Sequence, residues 1–197
     1  MRAGARLREA LDLSSHVEEI KSFEKLLDAD ERWAYFATVN RETGEKAPYS
    51  LRDRYRSIEG AELLSSVPEE VRSEFNIARM LCVYAWLYYP FHSMAELKAF
   101  ATVELALRLR FPQTRANGLK RLLTRAVKEG VLKDRGFSNV EVDQQDPQRY
   151  SRMLPDLIPD LRNALAHGEV QLHPGSAFTV NNCSEIINQL FPKDREV

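Results

Sequence analysis

The residues best suited to chemistry stand together at 162–167, read Arg162-Asn163-Ala164-Leu165-Ala166-His167, with Gly168 next. Arginine presents a fork of donors that fits phosphate oxygens. Histidine, with an ordinary pKa of about 6.5, can take or give a proton at neutral pH. Asn163 adds a donor and an acceptor in one group. This set can cut RNA without help: the histidine takes the proton of a ribose 2′-OH, and the arginine neutralises the charge developing at phosphorus. The plainer account leaves His167 bonding the last carbonyls of a helix and Arg162 in a surface ion pair.

A helix must position these side chains. At about 100° per residue with Arg162 as origin, Leu154, Leu157, Ile158, Leu161 and Leu165 fall in one arc centred near ~270°. Asn163 and His167 fall at roughly 100° and 140°, away from that arc, and Arg162 lies at its edge. Gly168 is a helix stop, and Pro159 means that the helix begins there or kinks.

Three further helices precede it. One runs over 68–89, apolar all round beyond Met80 and therefore central, and ends at Pro90. A second, 93–110, carries Glu104 at about 340° from Leu97, inside its apolar arc, with Arg108 at i+4. A carboxylate there needs a cation, either Arg108 in the same helix or a residue of the 162–167 motif that Glu104 then orients. The third, 115–129, has a leucine stripe, with Lys120, Arg121, Arg125 and Lys128 opposite it. These four either steer a phosphate backbone or form a solvated face. Tyr84, Trp86, Tyr88 and Tyr89 read as core or interface; His16, His92 and His173 stand alone.

Arg162-Asn163-x-x-x-His167, late in a helical chain and followed by glycine, resembles the signature of the HEPN superfamily (higher eukaryotes and prokaryotes nucleotide-binding domains). The resemblance covers roughly residues 68–191. It implies an all-α, HEPN-like helical bundle acting as a metal-independent endoribonuclease, with Arg162, Asn163 and His167 catalytic and cyclic phosphate as product. It also implies a homodimer in which two motifs face each other. By analogy with toxin–antitoxin and antiphage systems, it implies a neutralising protein partner. Many domains of this family bind without cutting, so a non-catalytic module for RNA, nucleotide or protein is the alternative.

The rest of the chain sets bounds. A net charge of −1 gives no global pull towards nucleic acid, so RNA contact must come from a local patch. Cys82 and Cys183, in apolar contexts, read as reduced thiols in a cytosolic protein, and no cofactor or metal motif stands out. No apolar run is long enough to span a membrane or serve as a signal segment. Residues 67–197 are expected to form the helical domain and 1–66 an N-terminal helical extension. The extension reads as helices over 5–11, 15–27 (capping box Ser15–Glu18), 31–36 (capped by Asp30) and 50–64, with a loop at 40–48 and arginines 52, 54 and 56 on a solvated face. Near the C-terminus, 170–172 and 177–180 read as a small hairpin, and Asn182 and Glu185 cap a last helix.

Overall fold

The computed structural model describes residues 18–113, 118–168 and 175–193. Among these residues there are six α-helices: α1 Leu51–Glu59, α2 Glu69–Tyr84, α3 Phe91–Arg110, α4 Leu119–Lys128, α5 Leu154–Ala166 and α6 Ser176–Leu190. The fold is mostly helical, compatible with the all-α reading. Its one sheet among the described residues is a hairpin of β1 Ala37–Val39 and β2 Lys46–Pro48.

Helix α3 is the centre, packed against α2, α4, α5 and α6. Its buried face alternates small and large residues, Ala95, Ala99, Phe100, Val103, Ala106 and Leu107, so neighbouring helices approach closely. Helix α2 starts after Pro68 with Glu69 and Glu70 at its positive end. It stops at Tyr84, earlier than its apolar run, because the chain tightens through Trp86 N–H to Val83 O and Leu87 N–H to Tyr84 O before Pro90. Met80 and Tyr84 are exposed, so this helix is not buried all round. On α4 the stripe Leu119, Leu122, Leu123, Ala126 and Val127 is buried as its spacing predicts, and Gly130, at φ 68°, turns the chain away. Ile58 and Ala61 belong to the same apolar core as Phe75, Leu107 and Ile187, so the N-terminal part packs into the helical domain.

Arg54 departs most from expectation. The alternation of charges on α1 suggests a solvated face, yet Arg54 is only 2% exposed. Its Nε donates to Cys82 O at 2.7 Å and its Nη2 to Ser176 Oγ at 2.6 Å, with His92 Nδ1 3.3 Å away. The guanidinium also lies over the Trp33 ring at 5.7 Å. Burying a guanidinium is costly unless its donors are met, and these contacts engage Nε and Nη2. Arg54 thereby ties α1 to α2, α3 and the first residue of α6.

Other expectations change near the termini. Residues 5–11 and Ser15 lie outside the described residues. Over 18–27 there is a single 3-10 turn, Phe23–Lys25, not a helix. Glu18 pairs with Arg32 and Lys21 donates to Leu87 O, which holds the segment against the domain while Ile20, Phe23 and Leu27 face solvent. Asp30 caps the turn Glu31–Tyr35 as expected, accepting from Arg32 N–H. The stretch 40–48 is not all loop. Asn40 Oδ1 accepts from Glu42 and Thr43 N–H, Gly44 adopts φ 74°, and the chain folds back so that Thr38 pairs Ala47.

The C-terminal hairpin is also corrected: residues 177–180 lie inside α6, and 170–172 fall outside the described residues. The helix begins before Asn182 because Gly175 O accepts from Phe178 and Thr179 N–H, and the Ser176 hydroxyl is fixed by Arg54 and His92. Replacing Arg54 by Ala leaves a cavity and deprives Cys82 O of its donor and Ser176 Oγ of one of its partners, so chemical denaturation is expected to show a loss of about 3–5 kcal/mol. An unfolding midpoint unchanged from wild type would contradict this role.

Candidate functional site

Helix α5 runs from Leu154 through Pro159 to Ala166, with Pro155 in its first turn, where a missing N–H costs nothing. Its core side is Leu154, Pro155 and Ile158, flanked by half-buried Arg162 and Leu165, while Leu157 and Leu161 are exposed. The buried face is therefore turned by roughly 60° from the leucine arc, towards Arg162. Buried Pro155 and half-buried Pro159 fall at roughly 20° and 60°, on the far flank of Arg162, and extend the core side away from Leu157 and Leu161.

That rotation brings Arg162 to α3. Its Nη2 lies 3.5 Å from Glu104 Oε2, while Arg108 Nη2 donates to Glu104 Oε1 at 2.5 Å. One carboxylate thus sits between two guanidiniums, so the two accounts of Glu104 hold together. Arg162 Nη1 also donates to Asn163 Oδ1 at 3.1 Å, orienting that amide. Glu104 is 13% exposed, Arg162 40% and Arg108 52%. The pair is therefore not fully buried, and solvent screening lowers its expected worth from about 3–5 kcal/mol for a buried pair to about 1 kcal/mol.

His167 follows α5 as its C-cap. Its backbone N–H donates to Asn163 O at 2.9 Å, and Gly168, at φ 80°, ends the helix. The His167 side chain is exposed and has no hydrogen bond among the described residues. Arg162 and His167 diverge by roughly 140° around the helix, so within one chain they do not converge on a common point. Asn163 and His167 share the exposed side with Asp156 and Asp160, and Met153, Leu157 and Leu161 form an apolar stripe beside them.

The four basic residues of α4 are not all available. Lys120 pairs with Asp156 on α5. Arg125 bonds Glu129 at 2.6 Å and lies over the Phe111 ring at 4.7 Å. Arg121 and Lys128 are exposed. The patch therefore holds α4 to α5 and Phe111 as well as facing solvent.

Sequence reasoning missed a second cluster. Ser176 Oγ stands 2.6 Å from His92 Nδ1 and 3.3 Å from Cys82 Sγ, all closed to solvent beside Arg54. Burial pushes the Cys82 thiol up despite the opposing pull of Arg54, so it is held neutral. The only signal was a lone histidine and an arginine on an amphipathic helix, residue types that are far more often solvated. His16 and His173 lie outside the described residues.

Comparison with protein-family models, with curated proteins and with solved structures found no match in any of the three. Among the described residues, no group of three or more His, Cys, Asp or Glu is placed to hold a metal ion, and no helix is long and apolar enough to cross a membrane.

Glu104→Ala is expected to lower unfolding stability by about 1 kcal/mol, with a coupling to Arg162→Ala of about 0.5–1 kcal/mol in a double-mutant cycle. Strictly additive effects would mean that the contact carries no energy.

Proposed function

We propose that this protein is a metal-independent endoribonuclease of HEPN type, working as a homodimer. The observation that carries the reading is the state of the motif on α5: Arg162 is anchored by Glu104 and oriented with Asn163, while His167 is left free at the helix end. In the reaction, a histidine takes the proton of the 2′-OH and the oxygen attacks phosphorus. The bond to the 5′-oxygen breaks, a proton goes to that oxygen, and the products are a 2′,3′-cyclic phosphate and a 5′-hydroxyl. Arg162 neutralises the extra charge on the phosphoryl oxygens during attack. The nucleophile belongs to the RNA, so no metal-bound water is called for.

The divergence of Arg162 and His167 supports the dimer. A second α5 related by a two-fold axis would bring one chain's histidine to the other's arginine and supply the second proton-transfer group. The exposed Met153, Leu157 and Leu161 offer that contact an apolar surface on the right side of the helix. A neutralising partner and a toxin or defence role remain the expectation drawn from the family resemblance.

One observation favours the second reading, a non-catalytic module that binds another protein. Asp156 and Asp160 flank His167 on the same side, and Lys120 is engaged with Asp156. Negative charge there opposes an incoming phosphate and suits an apolar and basic protein surface instead.

The two separate in one assay. Incubated with RNA in EDTA, the wild type is expected to cleave. His167→Ala and Arg162→Ala should each lose about 10²–10⁴-fold in rate with the fold retained. Cleavage that persists in either variant, or that depends on an added divalent ion, would reject the ribonuclease reading.

A further inference from the structure

The chain between α4 and α5 is polar, and one carboxylate fastens it. Asp134, on the 3-10 turn Asp134–Gly136, is buried and accepts from Tyr150 N–H, Ser151 N–H and the Ser151 hydroxyl. Burial pushes its carboxyl up, but these bonds outweigh that and hold it below the usual carboxylate range. Phe137 packs edge-on against Tyr150, and Ser138 N–H donates to Glu185 on α6.

With Asp134 turned inward, its neighbours Lys133 and Arg135 are left to the outer side. Together with Val142, Pro147 and Gln148 they line a cavity of about 290 Å³, at the small end of the ~300–1,000 Å³ usual for small-ligand sites. Neither cation has an ion-pair partner among the described residues. The acids of the same loop are partly engaged elsewhere: Asp146 pairs with Arg152, and Asp143 accepts from Gln145 N–H. Glu141 remains exposed nearby in sequence. Two uncompensated cations, an apolar wall and one primary amide match a particular ligand. Lysine and arginine together suit a phosphate, the Val142–Pro147 wall suits a flat ring or sugar, and an amide pairs with a base edge.

We propose that this cavity binds one nucleotide through Lys133, Arg135 and Gln148. Its source is either a free mononucleotide or one nucleotide of an RNA strand. The second deepens the ribonuclease reading and rests on it. Gln148 precedes α5 by a few residues in the chain, and α5 itself is roughly 20 Å long with His167 at its end.

The test uses the full chain, with AMP followed by calorimetry and a labelled single-stranded RNA 12-mer followed by fluorescence anisotropy. Wild type, Lys133→Ala/Arg135→Ala and the control Glu42→Ala are compared, with thermal unfolding as a check on folding. The double variant, folded as wild type, is expected to bind AMP, RNA or both at least about tenfold more weakly. Glu42→Ala, an exposed change on the β1–β2 turn, should bind like wild type. Weakened AMP binding with unchanged RNA binding assigns the site to a free nucleotide, and the reverse assigns it to the strand. Equal affinities of the double variant and wild type for both probes, or no binding of either probe by wild type, overturn the proposal. Intact nucleotide binding in a protein that never cleaves RNA would sink the ribonuclease reading alone.

Discussion

A guanidinium closed off from water sets the terms for the rest of this fold. Arg54 reaches from α1 to a carbonyl at the end of α2, to the region of His92 at the start of α3 and to the first hydroxyl of α6. Three helix ends meet at one charged group, and Arg54 supplies the donor for Cys82 O. Trp33 roofs the same spot, donating from Nε1 to Ala85 O at 3.0 Å, and stacks with Tyr49 and Trp86. The N-terminal strand pair and its 3-10 turns are thereby fastened onto the helical domain. Asp30 secures the same region from the other side, bonded by Arg32 and by Tyr89 N–H. Burial pushes its carboxyl up, and those bonds win, holding it below the usual range.

This arrangement bears on the candidate site through α6. Fixing Ser176 fixes where α6 begins, and α6 packs on α3, the helix that carries Glu104. Glu104 in turn decides how α5 is rotated. A carboxylate with little exposure attracts Arg162, so the leucines at 157 and 161 are left outside. The cost is an apolar stripe in water, and the consequence is a helix end with its histidine unencumbered and a greasy surface beside it. Such a helix face offers the proposed dimer an apolar contact surface.

The helices around the core were legible because periodicity is a direct record of burial. The stripe on α4 reads unambiguously, and a carboxylate inside an apolar arc calls for a cation from Arg108 or from the motif, which Arg108 and Arg162 both supply. What could not be read has definite causes. Arg54 looks solvated because a buried arginine and an exposed one have the same local pattern; only its distant acceptors at Cys82 and Ser176 distinguish them. The phase of α5 was misjudged because proline rings compete with leucines for the core side, and an ion pair across helices has no sequence periodicity. The strand pair at 37–48 is three residues to a side, too short for alternation to show, and the turn is set by the Asn40 side chain and Gly44. Residues 177–180 carry three β-favouring types, Phe178, Thr179 and Val180, but the helix started by Ser176 overrides that preference.

The central claim is chemical: a histidine at the end of α5 lets RNA attack itself. The most direct measurement is the chemistry of the cut ends, read by mass spectrometry of products made from a defined oligoribonucleotide. Attack by the 2′-OH predicts a 2′,3′-cyclic phosphate on one fragment and a 5′-hydroxyl on the other, and no cutting of the same oligonucleotide with 2′-O-methyl groups at every position. Fragments ending in 3′-hydroxyl and 5′-phosphate, or cleavage of the methylated strand, would contradict the account.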